Sequence, residues 1–397
     1  VLKGTLRVAR EPIPDVNITV TDSSGELVGE ATTGEDGKWE VPITKVDTYS
    51  VTLDPATLPE GVGFKEGASN VVEREVADLR TFAVGFKLED GAAAPLIVPD
   101  PLWQRFLNRA VSGLRVGLLV ALASVGLSLI YGVTGLVNFA HSEMVTFGAV
   151  TAFGFEAISP STPFIVPVIL GTLAGGLLGF VLEKGLFKPL RKRKMNNISL
   201  MVVSIGLAFV LRYLIVIYFR TEPVGFKHYL IQEQIDIGPI ALPPKDMIIM
   251  PIALLLLVVV ATLLQKTRIG TSMRAVSDNP ALAESSGINI NKTILAVWIV
   301  GSALAAIGGI FLGLTNIIEW QMGEKMLLLI FAAVTLGGLG TAYGAMVGGL
   351  AIGFASEVIT MIPGIDNDMK FMVALIVMIV ILLVRPQGIL GVRERLG

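Results

Sequence analysis

From about Val111 to the end, the chain returns repeatedly to apolar stretches close to the roughly 20 residues that a helix needs to cross the hydrocarbon core of a bilayer. No other feature constrains the fold so tightly, because a backbone in lipid must satisfy its own hydrogen bonds, and a spanning helix does so. Composition agrees: 53% of residues are hydrophobic and only 16% charged, against about 25% charged in ordinary soluble domains. That balance argues against a soluble fold.

The predicted spans are 111–131, 135–157, 164–186, 198–219, 247–265, 292–314, 326–341, 343–362 and 369–384, two of them short or broken by glycine. The segments 220–246 and 266–291 are too polar to enter lipid. Residues 1–90 follow different rules. Short alternating runs at 4–8, 16–22, 38–43 and 48–54, with later ones near 71–76 and 80–88, are separated by turn signals such as Ser23-Ser24-Gly25 and Glu35-Asp36-Gly37. This pattern predicts an antiparallel β-sandwich. The expected fold is thus a polytopic α-helical membrane protein of about eight to nine transmembrane or re-entrant helices, carrying a small N-terminal all-β sandwich. The predicted divisions are 1–90 for the sandwich, 91–105 for an Ala/Pro-rich linker and 106–397 for the membrane domain. Trp103 to Arg109 reads as an amphipathic stretch in the interface ahead of the first span.

Lysine and arginine concentrate in the cytoplasmic loops of membrane proteins. The run Lys188-Pro189-Leu190-Arg191-Lys192-Arg193-Lys194 is the densest such cluster and is expected inside. Nine crossings then place 266–291 and Arg385, Arg393 and Arg395 on the same side, with the β-module extracytoplasmic. Arg105, Arg109 and Arg115, at the outer end of the first span, run against this assignment. The chain opens at Val1 with neither a methionine nor a recognisable signal peptide, so the expectation is a processed product.

Several chemistries are excluded. With a net charge of −2 and no basic face interleaved with aromatics, nothing invites nucleic acid. There is no cysteine, and His141 and His228 form no ligand cluster, so no metal site is expected. Gly287-Ile288-Asn289-Ile290-Asn291-Lys292-Thr293 approximates a phosphate-binding loop, but Asn291 stands where the second glycine is required and no strand precedes it. Any energy source is expected on another polypeptide.

Three groups of residues are candidates for function. Asn138, His141 and Glu143 lie in or beside an apolar stretch, where polar side chains line a pathway or hydrogen-bond between helices. Gly337, Gly338 and Gly340, with Gly344, Gly348 and Gly349, allow close packing or a helix break that offers amide donors to a substrate carboxylate. In 266–291, Asp278 and Asn279 are placed to cap a short helix begun by Pro280, and Gly287 to end it, giving about two turns.

Two resemblances add to this reading. Pro14 to Val20, followed by Thr32 to Trp39, resembles the carboxypeptidase-regulatory-like, transthyretin-like β-sandwich, whose members act as spacers or docking platforms. Leu129-Ile130-Tyr131-Gly132-Val133-Thr134-Gly135-Leu136-Val137-Asn138-Phe139-Ala140-His141-Ser142-Glu143 resembles the hallmark of the LIV family, the permease subunits of branched-chain amino-acid ABC importers. Arg274 to Ala283 with Gly287-Ile288, and Gly337 to Ala345 with Gly348-Gly349, agree in kind and order. Ser142 departs from the glycine more often found after the histidine.

The LIV resemblance implies a non-enzymatic transport subunit in the plasma (inner) membrane of a bacterium. Its partners would be ATP-binding cassette ATPase subunits carrying ATP and Mg, a second permease of the same family in a homo- or heterodimer, and an extracytoplasmic solute-binding protein. No cofactor is expected on this chain. The resemblance also implies that Arg274, Asp278, Asn279, Pro280, Ala283, Glu284 and Gly287 dock on the ATPases. The alternatives are a urea or short-chain amide permease of the same family, an ATPase-independent secondary transporter or channel, and a surface scaffold whose working part is the β-module.

Overall fold

The computed structural model describes residues 1–8, 11–45, 47–59, 61–64, 68–76, 82–90, 101–159, 162–219, 221–226, 232, 234–362, 365, 369–385 and 388–390. The expected linker at 91–100, His228, Arg393 and Arg395 lie outside them. The chain divides into two compact units, Val1–Asp100 and Pro101–Gly397.

Besides two two-stranded ladders, Arg7–Val8 with Glu11–Pro12 and Val62–Phe64 with Leu88–Asp90, the first unit holds two larger sheets. One places Leu27–Thr32, Asn17–Thr21, Thr48–Leu53 and Val71–Glu75 side by side; the other places Phe82–Ala83, Leu2–Thr5 and Lys38–Val41. Period-two alternation sends Ile18, Val20, Val51 and Leu53 to one face, where they are fully buried, and the register pairs Ile18 with Leu53 and Val20 with Val51. Trp39, Val41, Leu2 and Phe64 complete the core. The strand Leu27–Thr32 escapes a reading by alternation: it lies at the edge of its sheet, contains Gly29 and has no fully buried residue.

The second unit is helical: α1 (Leu102–Thr134), α2 (His141–Ile158), α3 (Ile165–Leu182), α4 (Lys188–Lys192), α5 (Asn197–Phe219), α6 (Pro244–Lys266), α7 (Arg268–Asp278), α8 (Pro280–Ser285), α9 (Ile290–Thr315), α10 (Met322–Gly337), α11 (Ala342–Val358) and α12 (Lys370–Val384). A π-helical turn, Glu183–Phe187, fuses α3 to α4. Among the described residues six helices are long and apolar enough to cross a membrane: Leu102–Thr134, Ile165–Lys192, Asn197–Phe219, Pro244–Lys266, Ile290–Thr315 and Ala342–Met361. The other three predicted spans are shorter helices, α2 of 18 residues, α10 of 16 and α12 of 15.

The first span differs from its prediction. Trp103 to Arg109 is not a separate interfacial segment but the opening of α1, which runs unbroken for 33 residues. Pro101 stands at its N-cap, and no proline interrupts the helix until Gly135 ends it with a positive φ of 66°. At 1.5 Å per residue α1 is about 50 Å long and outreaches the hydrocarbon core.

The helix ends gather at two poles. At one, Gly132 faces the Gly340 backbone and Ser277, while Gly135 meets the Asn197 side chain. Phe187 stacks on Trp298 with ring centroids 4.7 Å apart, which brings the basic run 188–194 to the same pole. At the other pole Asn108 Oδ1 accepts a hydrogen bond from Ala241 N at 3.3 Å, in the hairpin formed by Ile235–Ile237 and Ile240–Leu242. These are called below the basic and hairpin poles.

α1 is the central post. Glycines let α11 and α9 approach it backbone to backbone: a Cβ on Gly353 would strike the Gly117 backbone, and one on Gly126 the Gly301 carbonyl. Without a hydrophobic driving force between helices in lipid, such close van der Waals contact is what holds them.

Candidate transport site

The predicted second span, 135–157, is not one helix. Residues 135–140 turn back irregularly from the basic pole, and α2 starts only at His141, whose Nε2 lies 2.9 Å from the Ala123 carbonyl of α1. Ala123 is 11 residues from the end of α1 at Thr134, or about 16 Å along the axis, so α2 begins near mid-membrane. Irregular backbone at that depth is tolerated only inside protein. Leu136, Asn138 and Ala140 are all fully buried.

Local hydrogen bonds replace the missing helix. Asn138 Oδ1 accepts from Ala140 N at 3.1 Å, Ser142 Oγ donates to the Phe139 carbonyl at 2.9 Å, and Phe139 N donates to Ser204 Oγ of α5 at 3.1 Å. Because a carbonyl only accepts, His141 Nε2 carries the hydrogen toward Ala123, which leaves Nδ1 buried and without a partner among the described residues. His141 therefore ties α2 to α1.

Glu143, in the first turn of α2, meets a partner that polarity alone did not single out. Arg212 of α5 donates to Glu143 Oε1 from Nε at 3.1 Å and from Nη2 at 2.8 Å, and its Nη1 lies 2.8 Å from Glu324 Oε2 in the first turn of α10. The Glu143 side chain is 1% exposed, that of Arg212 10% and that of Glu324 48%. The three charges thus run from the interior to an accessible face. Phe209 packs beside the guanidinium, 5.5 Å from its ring centroid. The sequence signal was available: an arginine inside an apolar helix requires an acidic partner, and α10 opens with Glu324.

Two further sets of ion pairs lie toward the hairpin pole. Arg115 of α1 bonds Asp246 of α6, and Asp246 is fully buried although the sequence places it in a polar loop. Glu357 of α11 takes Lys370 of α12 at 2.6 Å and lies 3.7 Å from Arg109 of α1. Two of the three arginines that ran against the charge bias therefore have acids at their own end, Arg115 with Asp246 to itself and Arg109 sharing Glu357 with Lys370.

At the basic pole a cavity of ≈ 790 Å³ is lined by Tyr131, Gly132 and Thr134 of α1, Arg274, Ser277 and Asp278 of α7, and Gly340, Thr341 and Tyr343 around the α10–α11 turn. Pro280 also lines it. Four predicted site residues, Gly340, Arg274, Asp278 and Pro280, thus line one cavity; Asn138, His141 and Glu143 are not among its lining residues. Gly338 and Gly340 make the turn with φ of 108° and 82°, conformations closed to most side chains. Gly337 is buried against the Gly344 backbone.

The predicted two-turn element is α8. Asn279 caps it, accepting from Leu282 N at 3.0 Å, whereas Asp278 is the last residue of α7 rather than a cap. Gly287, at φ 84°, closes the other end as Ile288 N donates to the Ala283 carbonyl at 3.0 Å. Ala283 is buried; Glu284 is exposed. Arg274 bonds the Leu264 carbonyl, fastening α7 to the last turn of α6. The phosphate-loop look-alike at 287–293 enters α9, with Asn289 as its N-cap. Among the described residues no group of three or more histidine or acidic side chains is arranged to hold a metal.

Residues 109–382 match the family described as branched-chain amino acid transport system / permease component. The chain is 31% identical over 283 residues to the probable branched-chain amino acid transport permease protein LivH of Methanocaldococcus jannaschii, covering 69% of this chain and 89% of that one. It is 27% identical over 298 residues to the high-affinity branched-chain amino acid transport system permease protein BraD of Pseudomonas aeruginosa, covering 72% and 96%. More distantly, it is 24% identical over 276 residues to the ribose import permease protein RbsC of Haemophilus influenzae, covering 66% and 80%. A family match over most of the chain, on a bundle of membrane-crossing helices, makes this a multi-pass membrane protein that belongs to the branched-chain amino acid transport system permease components.

Proposed function

We propose that the chain is the permease subunit of an ATP-driven importer for branched-chain amino acids, working by alternating access. The observation that carries this reading is the α7–α8 element. It is a polar helix pair joined directly to two spans, α6 and α9, locked to α6 through Arg274, and seated on the bundle through buried Met273, Val276 and Ala283. A rigid polar lever of this kind suits a push from a neighbouring subunit, and no nucleotide-binding loop is present in the chain itself. ATP and Mg belong on that neighbour, while a second permease and an extracytoplasmic binding protein complete the assembly.

In this reading the basic pole is cytoplasmic and the β-module extracytoplasmic. The five lysines and arginines of 188–194 outnumber Arg105, Arg109 and Arg115 at the other end of the bundle. The cavity at the basic pole lies between the lever and the α10–α11 glycine turn, so movement of α7 alters its wall.

The test is uptake by cells carrying the chain with its genomic neighbours, comparing leucine, isoleucine, valine and urea. Asp278→Lys with Glu284→Lys should abolish uptake and leave membrane insertion intact; both residues are exposed. Undiminished uptake by that double variant refutes the coupling role. Transport by the purified chain in vesicles without an ATPase would refute the whole reading, and loss of function on deleting 1–90 alone would favour the scaffold alternative.

A further inference from the structure

We infer that Arg212 and Glu324 form the point at which the permease reads the two charges of an amino-acid zwitterion. The inference rests on the amino-acid transport reading and goes beyond it by assigning a site.

The two acids on Arg212 are unequal. Glu143 alone neutralises it, holding Nε and Nη2 through one buried oxygen. Among the described residues Glu324 is then a surplus negative charge on this arginine, half exposed and bound through Nη1 at 2.8 Å. Its neighbour Lys325 is engaged elsewhere, with Glu319 at 2.6 Å. Arg212 lies seven residues before the end of α5 at Phe219, or about 10 Å inside it, below the α5–α6 connection. Ionisable groups at such depth face a bundle interior or a water-filled route, because lipid would not accept them. The place of Glu324 in the first turn of α10 suits a carboxylate, and its half-exposed side chain leaves it accessible to a second cation.

Its chemistry matches a ligand that brings its own carboxylate. The α-carboxylate of an incoming amino acid replaces the Glu324 carboxylate on Nη1, like for like, and the released Glu324 takes the α-ammonium. Throughout the exchange Glu143 keeps Nε and Nη2, so no bare cation is left at depth. A zwitterion adds no net charge. The exposed ring of Phe209 beside the guanidinium offers apolar surface to an aliphatic side chain.

The experiment uses the assembled transporter without its binding protein and measures equilibrium binding of radiolabelled leucine, with leucinamide (no carboxylate) and 4-methylpentanoate (no ammonium) as competitors. Wild type should bind leucine at least ~10-fold more tightly than either analogue, since each lacks one charge-assisted contact. Glu324→Gln should weaken leucine by ~10-fold yet bind 4-methylpentanoate at least as tightly as wild type, since the competing carboxylate on Nη1 is gone, and that retained binding also shows the variant to be folded. Glu324→Asp should keep the preference for leucine over 4-methylpentanoate, and Lys325→Gln should bind as wild type. A complex that imports leucine but binds none through the permease, or whose Glu324→Gln variant discriminates as wild type does, overturns the site while leaving the transport reading intact. A wild-type complex that imports no amino acid removes both.

Discussion

Arg212 of α5 holds Glu143 of α2 through two donors on one carboxylate oxygen, and so fastens the helix that begins at mid-membrane to one that crosses it entirely. α2 has lost about one and a half turns of helix at its start, and this pair, with the Ser204 hydroxyl, is what α5 contributes in place of them. Replacing Arg212 by methionine leaves the Glu143 carboxylate buried with no cation, a loss of about 3–5 kcal/mol. The double variant Arg212→Met, Glu143→Leu should melt higher in detergent than Arg212→Met alone. An equal or lower melting temperature for the double variant would show that the pair is not what makes the single change costly.

The Arg115–Asp246 pair joins α1 to the first turn of α6. A double-mutant cycle with Arg115→Leu and Asp246→Leu should return a coupling of about 0.5–3 kcal/mol, with either single change worse than both together. Additive losses in thermal melts would mean that the two charges act separately.

The absence of native cysteine makes topology directly measurable. With an impermeant thiol reagent applied to intact cells, Ser24→Cys should label and Asn196→Cys should label only after lysis. Labelling of Asn196→Cys from outside would invert the orientation, and with it the assignment of the basic pole to the cytoplasm.

Gly353 of α11 lies where any Cβ would strike the Gly117 backbone of α1. Since both partners are main chain, neither gives way as a side-chain tip would. Gly353→Val should cost at least the 1–3 kcal/mol usual for overpacking, seen as a lower melting temperature. A wild-type melt would refute the backbone contact between α11 and α1.

Asn279 caps α8 through its side chain. Asn279→Ala removes that bond at about 1 kcal/mol, enough to loosen a six-residue helix without unfolding the bundle. In the assembled transporter, uptake should fall more than surface expression does. Proportional losses of the two would show that the cap serves folding rather than coupling.

Residue by residue, the sequence determined what depends on local composition. Long apolar runs located the helices because the cost of exposing polar backbone to lipid is set by each segment alone, and Asn279 with Gly287 marked α8 because caps act within a few residues. Tertiary structure decided the rest. Partner choice for Arg212 depends on Glu143, 69 positions away, and for Arg115 on Asp246, 131 away, distances over which hydropathy carries no information. The same holds for the break before His141: its residues are apolar enough to be helical, and only the Ala123 carbonyl, Ser204 and the close glycine contacts supplied by other helices make an irregular backbone affordable at that depth.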